Sequence, residues 1–149
     1  MIQLKHAGIY VKDLQKESDF YKKVFNMHVI CENAKQEDEL IKDVLQNQSS
    51  SVMLTKLITD QGKQSGVGDM IELVQVNFPV EEVSKKNLFN IGSTHIALGV
   101  DDMDNTVKKI LELGGKLVTK IHTMDNGNKC CFCADPEGNY LELIMRAKS

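Results

Sequence analysis

The chain has 149 residues and carries 18 basic against 21 acidic side chains, a formal net charge of −3. With 42% hydrophobic and 26% charged residues, its composition excludes disorder, a collagen-like repeat and a disulfide scaffold, and leaves a soluble globular protein. No apolar run approaches the roughly 18 residues of a membrane span, and residues 1–6 lack a signal peptide's apolar stretch. The expectation is a cytoplasmic protein with neither nucleic acid nor a membrane as partner.

His6-Ala7-Gly8-Ile9-Tyr10-Val11 reads as a strand, with Ala7, Ile9 and Val11 on one face and His6, Gly8 and Tyr10 on the other. Asp13 stands where an N-cap takes up the first free amides of a helix. Leu14, Ser18, Tyr21, Val24 and Phe25 then form an apolar stripe along that helix. Residues 34–46 are polar but carry Leu40, Ile41, Val44 and Leu45 at helical spacing, which predicts a short extra helix. A strand is predicted over 51–57. Residues 60–68, rich in glycine and polar side chains, read as a mobile hairpin loop. The next strand holds one glutamate, Glu72, between Ile71 and Leu73.

After a connector over 78–91 the pattern starts again. His95-Ile96-Ala97-Leu98-Gly99-Val100 repeats the first strand, with His95, Ala97 and Gly99 on one face. Asp102 takes the N-cap position, and Met103, Val107, Ile110, Leu111 and Leu113 make the helical stripe, stopped by Gly114-Gly115. Strands are predicted over 116–121 and 129–134. Asp135-Pro136-Glu137-Gly138 is a turn, its proline fixing one dihedral and its glycine permitting a positive one. Tyr140-Leu141-Glu142-Leu143-Ile144 closes the copy with a glutamate in the place of Glu72. Each half therefore reads strand, helix, then three strands, as one domain with module one at 1–77 and module two at 92–149.

Alternation gives each module an oily face for its helix and an opposite face with one histidine and one glutamate. If the halves pair edge to edge, His6, Glu72, His95 and Glu142 face a common hollow. Burying two carboxylates without a counter-charge is costly, and a divalent cation removes that cost. Mixed nitrogen and oxygen donors fit nickel, zinc, cobalt or manganese, and affinity order alone does not choose among them.

Three of the four cysteines, Cys130, Cys131 and Cys133, crowd one strand, with Cys31 far off. That placement predicts reduced thiols rather than spanning disulfides, and it lacks the second ligand pair of a structural zinc site. If 135–138 closes a tight hairpin, Cys131 falls opposite Glu142 and, with Cys133, shares its inner face. Cys131 then lines the pocket as a small neutral wall, or packs there without a role.

These residues resemble the vicinal oxygen chelate superfamily, which includes glyoxalase I, methylmalonyl-CoA epimerase, extradiol dioxygenases and the fosfomycin- and bleomycin-resistance proteins. The carriers are His6 with Val11-Lys12-Asp13-Leu14 and Asp19-Phe20-Tyr21, then Ile71-Glu72-Leu73, Thr94-His95-Ile96-Ala97-Leu98 with Val100-Asp101-Asp102, and 135–143, so that nearly the whole chain is covered. The resemblance implies an α+β fold, with two tandem βαβββ modules forming a cupped, partly closed mixed sheet, helices on the outside and one divalent metal ion within. The ligand order His6, Glu72, His95, Glu142 is similar to that of bacterial glyoxalase I. That likeness implies a lyase or isomerase acting on a hemithioacetal of a 2-oxoaldehyde through a metal-stabilised enediolate. It implies Glu142 as the base that moves the proton, and Glu72 as ligand and partner in reprotonation. It also implies a small-molecule substrate, a thiol adduct or thioester, and a homodimer in which the halves pair within one chain or across two.

The chain departs from that pattern in places. Glyoxalase I has an arginine four residues after the first histidine, where Tyr10 stands, and this chain has no tryptophan. A methylmalonyl-CoA epimerase-like reaction is the alternative, although the short Asp135-Pro136-Glu137-Gly138 turn replaces that family's longer segment. Extradiol cleavage needs open metal positions, one of which Glu72 would fill. A non-catalytic drug-resistance binding protein would usually have lost the ligands, and none is lost here.

Overall fold

A computed structural model describes residues 1–83 and 87–148, so residues 84–86 of the expected connector lie outside the described residues. The chain divides into two compact units, Met1–Glu82 and Val83–Ser149. The fold is α+β, and each unit builds its own mixed sheet.

In the first unit the order is β1 (His6–Tyr10), α1 (Leu14–Phe25), β2 (His28–Gln36), α2 (Glu39–Leu45), β3 (Val52–Ile58), α3 (Asp60–Ser65) and β4 (Met70–Val76). The sheet runs β1-β4-β3-β2, with β1 parallel to β4 and the other pairs antiparallel. Asp13 caps α1 as expected, its carboxylate accepting from the Lys16 amide at 3.0 Å, and Asn26 ends the helix in the left-handed region. The stripe differs from the expected one in two positions. Phe20 is buried where Phe25 is only half covered, and Phe20 meets the Tyr21 ring edge-on at 5.2 Å. Helix α1 packs on β3 and β4, over the sheet face that carries Leu57, Ile71 and Leu73, all buried. Phe20→Ala is expected to cost about 3–5 kcal/mol, read as a lowered urea midpoint.

Strand β2 had no legible alternation for a physical reason. Its register against β3 shifts twice, between Val29 and Cys31 and again between Cys31 and Ala34, and Asn33 takes a positive φ of 49°. The expected helix over 34–46 is correspondingly shorter, because β2 runs to Gln36 and α2 covers only Glu39–Leu45. Its apolar residues split. Ile41 and Leu45 pack with Cys31 and Ala34 on Val52, Leu54 and Val74, while Leu40 and Val44 stay exposed.

The expected loop over 60–68 is a correction. It holds helix α3, whose cap Thr59 accepts from the Gly62 amide at 3.0 Å and which Gly66 ends at φ 69°. Glycine at 62 serves close approach, since a Cβ there would lie 2.8 Å from Ile58 Cγ1 and from Asp69 Cβ.

The second unit contains β5 (His95–Gly99), α4 (Met103–Glu112), β6 (Lys116–Leu117), β7 (His122–Thr123), β8 (Lys129–Ala134) and β9 (Tyr140–Met145). Its order is β5-β9-β8-β6, with β7 also on β8 and β5 parallel to β9. Asp102 caps α4 through the Asn105 amide at 3.0 Å. The helix buries Met103, Thr106, Val107 and Ile110, while Leu111 of the expected stripe is exposed. Gly115 makes the close return possible, because a Cβ there would lie 2.6 Å from the Ala134 carbonyl oxygen. Of the strand expected over 116–121 only Lys116–Leu117 forms, as β6, and β7 follows outside that range at His122–Thr123. The amides of Val118 and Thr119 both donate to the Phe132 carbonyl, so the chain gains a residue against β8 and the pairing breaks.

Candidate functional site

Directly paired residues on neighbouring strands project to the same side of a sheet, so the register fixes who shares the face away from α1. Gly8 pairs with Glu72, and His6 pairs with Met70 one rung along. The His6 imidazole Nε2 lies 3.7 Å from Glu72 Oε1. On the other side of Glu72 its register partner on β3 is Lys56, whose Nζ lies 3.0 Å from Oε2. The Glu72 side chain keeps 19% of its surface exposed and Lys56 27%, so both are held without being sealed from water. A Cβ on Gly8 would meet nothing within 4 Å, which leaves room above the strand at this point.

The rest of that face is covered at one end and opens at the other. The cluster of Val52, Leu54 and Val74 under α2 closes one end. At the other, Ile58 and Met70 border a cavity of about 330 Å³ shared with Ile30, Gly62 and Val67. The strip of His6, Gly8, Glu72 and Lys56 lies between this cluster and the cavity.

The second unit repeats the arrangement in the same register. Ala97 pairs with Glu142 as Gly8 does with Glu72, and His95 pairs with Tyr140. His95 Nε2 lies 3.2 Å from Glu142 Oε2, with 24% of the glutamate side chain exposed. The residue opposite Glu142 is Phe132, whose ring stands edge-on to His95 at 5.1 Å. Each unit thus brings one imidazole nitrogen and one carboxylate oxygen together on the sheet face opposite α1 or α4. Among the described residues no group of three or more His, Cys, Asp or Glu side chains is assembled to hold an ion. The donor chemistry of each pair, one nitrogen with one oxygen, fits a divalent transition ion.

The thiols are a second correction. Cys131 pairs with Leu143 and Cys133 with Leu141, so neither shares the face of Glu142. Cys131 Sγ instead lies 3.6 Å from Met103 Sδ and 3.9 Å from Cys133 Sγ, in the core under α4. The hairpin loop takes in Asn139, whose carbonyl accepts from the Asp135 amide at 3.0 Å and whose own amide donates to the Asp135 carboxylate at 2.8 Å. That added residue slips the register by one and turns every β8 side chain to the opposite face. Burial pushes the Cys133 thiol up to about 12 and raises Cys131 as well, so both stay protonated and poor as nucleophiles or ligands. Cys131 and Cys133 are expected to react with a thiol reagent only on unfolding, while the half-buried Cys31 and Cys130 react in the native protein.

Lys56 and Phe132, the neighbours that distinguish the two carboxylates, escaped the sequence reading. The available signal was a single lysine inside the apolar run Val52-Met53-Leu54-Thr55-Lys56-Leu57-Ile58, the same irregularity that marked Glu72.

The model of the Glyoxalase/Bleomycin resistance protein/Dioxygenase superfamily matches residues 3–143. A protein of Synechocystis sp., named a probable lactoylglutathione lyase, is 32% identical over 143 residues, covering 95% of this chain and 94% of its own length. A Vibrio cholerae protein of the same name is 27% identical over 148 residues, covering 99% and 93%. Among solved structures, a glyoxalase family protein from Bacillus cereus superimposes with a TM-score of 0.86 at 19% identity, covering 99% of this chain and 96% of that one, a likeness of fold. No helix among the described residues is long and apolar enough to cross a membrane.

Proposed function

The chain belongs to the Glyoxalase/Bleomycin resistance protein/Dioxygenase superfamily, and we propose that within it the protein is a metal-dependent, glyoxalase I-like lyase acting on a hemithioacetal of a 2-oxoaldehyde. The observation that carries this reading is the recurrence of one histidine–glutamate pair at the same register in both units, Gly8 opposite Glu72 and Ala97 opposite Glu142. The names of the Synechocystis and Vibrio relatives support it.

His6 and Glu72 give one half of the donor set, and His95 and Glu142 the other, drawn from one chain or from two chains of a homodimer. Nickel, zinc, cobalt and manganese all suit two imidazoles and two carboxylates. When bound, the ion supplies Lewis-acid polarisation of the substrate's adjacent oxygens, which lowers the cost of removing the neighbouring proton. Glu142 takes that proton from the carbon bearing sulfur and delivers it to the adjacent carbon. The balance closes without an external oxidant, since one carbon loses the hydrogen that its neighbour gains, and a hemithioacetal becomes a 2-hydroxy thioester. Glu72 stays a ligand. Tyr10 stands on the strand where glyoxalase I has an arginine to hold a thiol carrier's carboxylates, so the assay spans several thiols.

The test is to purify the protein without chelator, measure its divalent ions, and assay hemithioacetals of methylglyoxal made with several thiols. Metal uptake and isomerisation of at least one adduct are expected. A protein that takes up no divalent ion, or that epimerises CoA thioesters and leaves every hemithioacetal unchanged, overturns the proposal.

A further inference from the structure

The half-sites agree in register but differ in what each carboxylate meets on the neighbouring strand. Opposite Glu72 on β3 stands Lys56, its Nζ 3.0 Å from Oε2. Opposite Glu142 on β8 stands Phe132, which has no polar atom to offer. Among the described residues, the ion pairs of Glu142 include no lysine or arginine. The two glutamates of a duplicated pattern are therefore not equivalent.

The difference falls on particular oxygens. Glu72 Oε1 is the atom nearest His6 Nε2, at 3.7 Å, and so the one placed to share an ion with it. Oε2 is already engaged by the ammonium of Lys56. An ion pair at this distance between two partly shielded side chains restrains the carboxylate, and groups bound to a ligand's outer atom fix its orientation. With Oε2 drawn to the ammonium, Oε1 is the oxygen of Glu72 left turned toward an ion beside His6. At Glu142, Oε2 is the oxygen nearest His95, and the facing Phe132 ring donates nothing to the other oxygen.

Resting on the metal-dependent reading above, we propose that Lys56 is a positioning residue that confines Glu72 to single-oxygen ligation and leaves proton transfer to Glu142. The duplicated site is thereby divided into a ligand carboxylate and a working carboxylate by the side chain across the strand from each. Lys56 touches neither substrate nor ion in this role and acts only through Glu72.

The experiment uses cobalt(II) as the probe in wild-type protein, Lys56→Met and Lys56→Arg, each loaded to one equivalent and compared by visible absorption. Freed from its tether in Lys56→Met, Glu72 brings its second oxygen to the ion, so the bands weaken and shift as the coordination number rises. Lys56→Arg keeps a charged donor at Oε2 and restores the wild-type spectrum. In deuterated solvent, Lys56→Met is expected to incorporate more solvent deuterium into product, because a second carboxylate joins the transfer. Lys56→Ala carries the same expectations should Lys56→Met fail to fold. Cobalt spectra identical in all variants overturn this inference and leave the metal reading standing. Wild-type protein that takes up no cobalt overturns both.

Discussion

Glu142→Gln is expected to lower turnover on a hemithioacetal by about 10²–10⁴-fold, the range that positioned general acid–base groups contribute. Glutamine has nearly the same volume and keeps an oxygen to face His95, which lies 3.2 Å from Glu142 Oε2. It has no carboxylate to accept a proton. The side chain sits between Leu141 and Leu143, which are buried on the α4 side, and is itself partly exposed, so folding stability is expected to stay within about 0.5 kcal/mol of wild type. Urea denaturation and metal content measured on the same preparation separate the chemical loss from the structural one. Glu72→Gln sits at the equivalent register but exchanges a carboxylate that Lys56 holds, so its larger effect is expected on metal retention. Glu142→Gln turnover within tenfold of wild type, with metal retained, would remove Glu142 from the role of base.

What the sequence disclosed about this fold follows from which signals are local. The strand alternation around His6 and His95 and the caps at Asp13 and Asp102 depend on residues within a turn or two of each other, and all four appear as expected. The faces of Glu72 and Glu142 followed from Ile71, Leu73, Leu141 and Leu143 in the same way. Signals that depend on pairing between strands were less legible. The bulges near Cys31 and at Val118-Thr119 erase a period-2 pattern by inserting residues. One extra loop residue, Asn139, was enough to carry Cys131 from the expected pocket wall into the core and to put Phe132 opposite Glu142. Helix α3 was hidden by its composition, because Gly62 and Gly66 read as loop residues although one serves close packing and the other ends the helix. Lys56 was illegible because its partner lies beyond α3, where spacing in the chain does not give register.

Removal of divalent ions by a chelator is expected to abolish turnover and to lower the thermal midpoint, with both restored on adding the ion back. A ligand present at about a hundred times its dissociation constant stabilises the folded state by about 2.7 kcal/mol. For a chain of this length that corresponds to a midpoint shift of about 5–10 °C. His6→Ala and His95→Ala sharpen the test, because each removes a partly exposed imidazole, with 37% and 42% of the side-chain surface accessible. Such substitutions change the stability of the ion-free protein by no more than about 0.5 kcal/mol. Each alone leaves three of the four donors and is expected to remove most of the ion-dependent rise at limiting ion. An equimolar mixture of the two variants, unfolded and refolded together, then assigns the pairing. If sites draw on two chains, a mixed dimer contains one site with both histidines intact and regains part of the ion uptake. If each site is built within one chain, every site lacks a histidine and the mixture stays inert. A single variant that keeps the full ion-dependent rise would mean that its histidine is not a ligand.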